Sequence, residues 1–421
     1  MTRKQRTAVI GSGIAGLTAA YLLREAHDVT LYESDDRLGG HAHTHDVVSG
    51  DGRALAVDSG FIVHNERTYP HLLRLFAELG VATRETGMTM SVRCEGCGLE
   101  YAGARGARGL FARPANALSA PYLWMLGEVP RFHRAARRLL ADGIEDSGTL
   151  GEFLTEHRFS RYFVRHFVTP VVSAVWSCPP ATALRYPARY LFAFLDHHGM
   201  LTVSGSPTWR TVVGGSRSYV ERIGKQLGAV HLSTPVRAVC RGSDRAEILT
   251  EDGTAAAYDS VVIATHPDQA LRLLADATSD ERRVLGAFRY SRNATLLHTD
   301  PTVLPRRAGA RAAWNYRMPS CTAGAGHVRV SYDMNLLQGL DAPESYVVTL
   351  GDDGRVAEER ILARMVYEHP CYTPDSVAAR RQLPGLNGPV TVYAGAYHGW
   401  GFHEDGCRSG VEAAAALGVR W

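Results

Sequence analysis

The residues best placed to do chemistry begin at Gly11-Ser12-Gly13-Ile14-Ala15-Gly16. In a Gly-x-Gly-x-x-Gly run the first glycine allows a tight turn. The second lets the backbone approach a pyrophosphate, and the third lets a helix pack closely on a strand. Unpaired amides at the N-terminus of that helix then face the anion. Glu33, closing the next apolar run, supplies a carboxylate able to accept from ribose hydroxyls. The expected ligand is a dinucleotide, and the fingerprint alone does not separate NAD from FAD.

Those residues require a strand, a turn, a helix and a second strand to hold them. Residues 7–10 form a short apolar, β-leaning run, residues 17–24 are rich in helix formers, and residues 29–32 return to strand-like residues. Farther along, residues 111–201 carry aromatics and arginines at helical spacing, punctuated by Pro170, Pro179, Pro180 and Pro187, so an inserted helical lobe is expected. Strands are expected at residues 230–239, broken by Pro235, and at 260–265 and 390–395, with helices at 219–227 and 410–417. Residues 283–373 should be mixed strands with a terminal helix at 356–368.

Two other groups carry ligand chemistry. Cys94-Glu95-Gly96-Cys97 has zinc or redox spacing, but no second pair follows to complete four ligands, so a hairpin tip turned by Gly96 and Gly98 is preferred and no metal is expected. His41, His43 and His45, with Asp46, would share one face of an extended strand. Alternation alone fixes no coordination geometry, and the preferred reading puts His41 at the ligand and the other two on the polar surface.

Composition removes whole classes. Of 421 residues, 45% are hydrophobic and 21% charged, the balance of a globular protein with more than one core. Lysine plus arginine number 46 against 43 acidic residues, too even to imply a nucleic-acid partner. Residues 1–13 lack the long apolar stretch of a secretory signal, and no apolar run is long enough to span a bilayer. Seven scattered cysteines fit a reduced, cytoplasmic setting better than a disulfide framework. Arg131, Arg134, Arg137 and Arg138 read first as a solvated helix face and second as a contact for lipid phosphates or a carrier protein.

Distant segments decide the cofactor by resemblance. Arg37-Leu38-Gly39-Gly40-His41 resembles the Arg-x-Gly-Gly-Arg stretch of the flavin amine oxidase and phytoene desaturase superfamily, with His41 standing where arginine is common. The segment from Val57 to Asn65, containing Gly60 and Phe61, is similar to the one beside the isoalloxazine ring in those enzymes. Tyr397-His398-Gly399-Trp400-Gly401-Phe402-His403-Glu404-Asp405-Gly406 looks like their C-terminal flavin-binding motif. Closest in pattern are the bacterial predicted NAD/FAD-binding proteins related to the N-terminal part of plant cyclopropane fatty acid synthases, and FAD-dependent fatty-acid double-bond isomerases have a similar layout.

The resemblance implies an α/β protein with a Rossmann-type, glutathione-reductase-like FAD-binding domain and a mixed-sheet and helical substrate domain. The FAD-binding domain would comprise residues 1–100, 211–280 and 376–421, and the substrate domain 101–210 as a helical cap and 281–375. FAD would be held by Gly11, Gly13, Gly16, Glu33, Arg37, Gly39, Gly40, His41, Gly60, Phe61, Val236, Gly395, Gly401, Phe402 and His403. His64, Asn65, Tyr397 and His398 would flank the flavin as catalytic candidates. Cys407, in the helix-opening turn, is read as packing and not as a covalent flavin link. The implied activity is oxidation or desaturation of an apolar, unsaturated or acyl-chain substrate by hydride transfer, with molecular oxygen as a competent acceptor. Double-bond isomerisation, amine oxidation and a non-catalytic partnership with a lipid methyltransferase are the alternatives.

Overall fold

The computed structural model describes residues 3–143, 148–202, 205–322 and 327–421. The first two residues of the basic N-terminal start lie outside them. The strand Gln5–Ile10 is apolar from Thr7 on, and it occupies the centre of a five-stranded parallel sheet. Its neighbours are His27–Tyr32 on one side and Ser260–Ile263 on the other, with Ala229–His231 and Thr391–Tyr393 at the edges. Such continuous apolar runs belong to strands covered on both faces. The helix Ile14–Leu23 is buried at every position, because the C-terminal helix His403–Ala416 packs along it. Small residues make that approach feasible: a Cβ on Gly410 would overlap Ala15 O.

A second, seven-stranded sheet runs in the order Ile361–Cys371, Arg289–His298, Val347–Leu350, Val330–Asp333, Trp314–Met318, Met90–Cys94, Glu100–Ala102. Every pairing in it is antiparallel except Trp314–Met318 against Met90–Cys94. Residues 356–368, expected as a helix, are instead a 3-10 turn followed by the strand Ile361–Cys371. The alternating burial of Ile361, Leu362, Ala363, Arg364, Met365 and Val366 is the period-two pattern of an edge strand. The last helix likewise begins at His403, seven residues before the expected start.

Helices cover the face of this second sheet: Ala120–Ala141, Leu150–Glu156, Arg161–Phe163, Thr169–Trp176 and Ala188–His197 bring Phe132, Phe153, Phe163, Trp176, Phe192 and Phe194 into one core. The prolines start these helices more than they end them: Pro170 and Pro180 sit in first turns and Pro187 is an N-cap. Between Arg161–Phe163 and Thr169–Trp176 the chain makes a π-helical turn, Val164–Val168.

Candidate functional site

The three fingerprint glycines occupy three distinct environments. Gly11 has φ +96°, and a Cβ there would stand 2.8 Å from Ala264 O. A Cβ on Gly16 would overlap Gly11 O, so only glycine lets this helix cross the strand end. Nothing lies within 4 Å of a Cβ on Gly13, which borders a large cavity. The helix that follows has no side-chain cap and no acidic residue in its first turn. Its amides are therefore open to an anion.

The rest of this end of the cavity is fixed by hydrogen bonds. Glu33 Oε2 accepts from the backbone N–H (2.8 Å) and hydroxyl of Ser12, and Oε1 accepts from Ser34 Oγ (3.1 Å) and Asp35 N (3.0 Å), which orients the carboxylate on the cavity wall. Arg37 Nη2 donates to Gly40 O at 2.9 Å. Gly39 (φ +113°) donates to Ser12 O and Oγ, and Gly40 passes against Gly13, where its Cβ would stand 3.2 Å from Gly13 Cα. Gly60 is required because a Cβ would overlap His41 O. Phe61 stacks on His403 at 3.7 Å and 6°. The His403 ring is held in turn by Tyr219 OH, 2.7 Å from Nε2. Val236, Gly395, Gly401 and Phe402 also line the cavity, whereas Gly16 and Gly39 shape the turns behind it.

Of the four catalytic candidates, Tyr397 lines the cavity, with its hydroxyl buried and without a partner among the described residues. The other three lie behind the wall. Asn65 Oδ1 accepts from Arg67 N, Thr68 N and Thr68 Oγ1, so its carboxamide closes a turn. His64 is enclosed by Phe61, Tyr69 and Phe76. The His398 ring lies 4.7 Å from that of Tyr397, tilted by 50°, and does not line the cavity. Cys407 faces Thr18 across the two packed helices and does not reach the cavity.

Sequence reasoning missed a cluster contributed by the edge strand Ile361–Cys371, its partner strand Arg289–His298 and the loop after Ser260–Ile263. Tyr367, Glu368, His369, His266 and Tyr290 all line the cavity opposite His41. The His41 ring lies 5.1 Å from Tyr367 and 5.6 Å from His369. Asn293 Nδ2 donates to His369 Nδ1 at 2.9 Å, which fixes the ring proton on Nε2. Burial lowers His41 and His266 to about 4 and His369 and His403 to about 3, so all four are neutral near pH 7. Tyr367 OH bonds Ser59 Oγ (2.6 Å) and His43 Nδ1 (3.0 Å), and His45 Nε2 lies 2.8 Å from Ser59 Oγ. His43 and His45 are thus half-buried members of this network and not surface residues. No sequence signal marked the strand partners, which lie more than 300 residues from His43 and Ser59.

The cavity encloses about 1010 Å³. Beyond the flavin-type end it continues into a lobe lined by Met88, Met90, Val92, Phe167, Val171 and Val175, with Trp176, Phe194, Trp314 and Leu350 closing it. The carboxylates on the cavity wall, Glu33, Asp35 and Glu368, all lie outside that lobe.

Cys94 and Cys97 do form a hairpin tip, between Met90–Cys94 and Glu100–Ala102. The expectation that they lack further ligands is corrected: the fold brings His166 and Cys321 to them, and all four donor atoms lie within 4.8 Å of one another.

A family model described as flavin containing amine oxidoreductase matches residues 14–299. A Mycobacterium leprae protein named coproporphyrinogen III oxidase is 26% identical over 333 residues, covering 74% of this chain and 71% of its own. A Mycobacterium tuberculosis protein described as a flavin-containing monoamine oxidase is 28% identical over 275 residues, 62% of this chain and 56% of its own. Among solved structures, a CLA-producing fatty acid isomerase from P. acnes superposes with a TM-score of 0.72 at 18% identity, and putrescine oxidase bound to putrescine with 0.70 at 16%. The first covers 100% of both chains and the second 99% of both. At those identities the shared property is the fold.

Proposed function

The chain belongs to the flavin containing amine oxidoreductase family and is an FAD-dependent oxidoreductase, and from that premise we propose that its substrate is an apolar, unsaturated acyl chain. The carrying observation is the lobe that continues the cofactor end of the cavity, mostly apolar, with hydroxyls of Thr89, Tyr101 and Tyr332 but no charged group on its wall. An acyl chain gains about 0.8 kcal/mol for each methylene buried there, whereas an ammonium group would meet no carboxylate in that lobe.

The fit of FAD rests on features of the protein itself: open amides above Gly13, a turn in which Gly11 and Gly16 leave no room for a Cβ while Gly13 stays clear, and buried polar atoms at His41 Nε2 and Tyr397 OH without a partner among the described residues. The parallel order of the five-stranded sheet supports a Rossmann-type, glutathione-reductase-like arrangement for this half. When bound, FAD supplies a two-electron acceptor for a hydride equivalent from a substrate carbon. The protein's part is to exclude water, with Trp176, Phe194 and Trp314, and to keep His41, His266 and His369 neutral, so that they add hydrogen bonds without adding charge. Tyr397 is the side chain we assign to orient substrate or flavin through its free hydroxyl. Molecular oxygen is the acceptor proposed for reoxidation.

Anaerobic mixing with a panel containing an unsaturated fatty acid, an acyl phospholipid, a primary amine and coproporphyrinogen III tests the substrate class. Bleaching of the flavin by the acyl compounds is expected. Bleaching by the amine or the porphyrinogen alone would overturn it. Isomerisation of a double bond is the second reading, supported by the fold shared with the fatty acid isomerase.

Among the described residues no helix is long and apolar enough to cross a membrane. We propose instead that the protein is cytoplasmic, its seven cysteines being free, and that it rests on lipid through the start of the helix Ala120–Ala141. Leu118 is 90% exposed and Trp124 67%, with Leu123 beside them and the exposed Arg134, Arg137 and Arg138 farther along. Arg131 is not part of that face, since its guanidinium packs on the Phe159 ring.

A further inference from the structure

The thiols of Cys94, Cys97 and Cys321 and the imidazole of His166 converge outside the cofactor cavity, and none of the four lines it. Cys94 Sγ lies 3.6 Å from Cys321 Sγ, and Cys97 Sγ lies 3.7 Å from His166 Nε2. A tetrahedral zinc ion, about 2.3 Å from sulfur and about 2.0 Å from nitrogen, sets donor separations of about 3.5–3.8 Å. Both measured edges fall in that range.

The imidazole is prepared for the task. His166 is 1% exposed, and its Nδ1 is 3.1 Å from Tyr162 O. Only a protonated Nδ1 can bond a carbonyl, so the Nε2 lone pair faces the thiols, the orientation an outer-shell carbonyl gives a ligating histidine. The backbone is shaped accordingly. Pro170 has no N–H to donate to the carbonyl of His166, four residues earlier, and Tyr101 OH donates to that carbonyl instead, at 2.7 Å. The helix answers with the π-helical turn Val164–Val168, which carries His166.

The thiols are placed as deliberately. Cys94 ends a strand paired in parallel with Trp314–Met318, with Met318 opposite Cys94, so the chain leaving that strand carries Cys321 to the hairpin tip. A Cβ on Gly96 would stand 2.8 Å from Cys321 N, so this glycine permits the approach, while Gly98, with φ +71°, closes the turn.

We propose that Cys94, Cys97, His166 and Cys321 bind one zinc ion as a closed structural site. Three thiols would release their protons to solvent on binding, and no oxidation state changes. Four protein ligands leave no position for substrate, so the role is mechanical. Val92, Tyr101 and Phe167, on the three segments nearest the ligands, line the apolar lobe, and the ion would pin that wall. This inference does not depend on the substrate assigned above.

The test is metal analysis of the flavin-loaded protein, purified without chelators or metal-affinity resin. One zinc per chain is expected. Protein produced with cobalt in place of zinc should show tetrahedral thiolate–cobalt bands at wavelengths longer than oxidised flavin absorbs. Cys97→Ser and His166→Gln should each lower zinc content at least tenfold. If either variant fails to fold, the zinc stoichiometry and cobalt spectrum of the unaltered chain decide alone. Zinc well below one per chain after anaerobic reconstitution with zinc sulfate would overturn the proposal, as would stoichiometric iron or a Cys94–Cys321 disulfide in protein kept anaerobic.

Discussion

At the scale of single residues, the fingerprint glycines differ in what they would cost to replace. Gly13→Ala meets no protein atom within 4 Å, so the apoprotein should lose no more than about 1 kcal/mol of stability, while its methyl group would obstruct the backbone approach that the second fingerprint glycine gives a pyrophosphate. Its FAD affinity should fall about tenfold or more, equivalent to about 1.4 kcal/mol. Gly16→Ala drives its methyl group into Gly11 O and should destabilise the apoprotein itself by about 3 kcal/mol. Thermal unfolding of both apoproteins with FAD titration separates the two effects, and equal loss of apoprotein stability in the two variants would contradict this account. The buried histidines give a pH prediction. His41, His266, His369 and His403 have folded values of about 3 to 4 against 6.5 in the unfolded chain. Their contribution is complete above about 6.5 and is lost as pH falls through about 4, at up to about 1.4 kcal/mol per pKa unit for each group. Urea unfolding at pH 7 and pH 4.5 should show the loss. Unchanged stability would mean these rings are already charged or solvated.

At the scale of elements, legibility followed how local the constraint was. Gly11, Gly13 and Gly16 were readable because their spacing within six residues is itself the signal, although the atom that excludes a side chain is nearby only for Gly16 (Gly11 O) and comes from Ala264 for Gly11. The strand Ile361–Cys371 was not, because a helix was expected where alternate residues face a sheet partner, Arg289–His298, some 70 positions away. The histidine and tyrosine cluster of the cavity therefore stayed hidden with it. The same blindness applied to Cys94 and Cys97, whose companions His166 and Cys321 arrive from a π-helical turn and from beyond a parallel strand. His64, Asn65 and His398 were placed near the ring from segments that do border the cavity. Side-chain direction then turned them into the wall behind it. The exposed start of the helix Ala120–Ala141 yields its own prediction: Leu118→Ser with Trp124→Ser should leave thermal stability within about 0.5 kcal/mol, as surface changes do, and should abolish sedimentation with anionic phospholipid vesicles. Undiminished sedimentation would exclude this surface.

At the scale of the whole molecule, two sheets divide the labour. The parallel sheet and its two packed helices present open amides and glycine turns to a dinucleotide, and the mixed sheet with its helical cover encloses an apolar lobe continuous with it. On the proposed function, an acyl chain occupying the lobe would end beside the His41, Tyr367 and Tyr397 wall. The most direct measurement is mass spectrometry of an unsaturated fatty acid after anaerobic incubation with stoichiometric holoprotein. The account predicts loss of two hydrogen atoms from the acyl chain, matched one for one by reduced flavin. An unchanged acyl chain with the flavin still oxidised, together with flavin reduction by a primary amine, would contradict it.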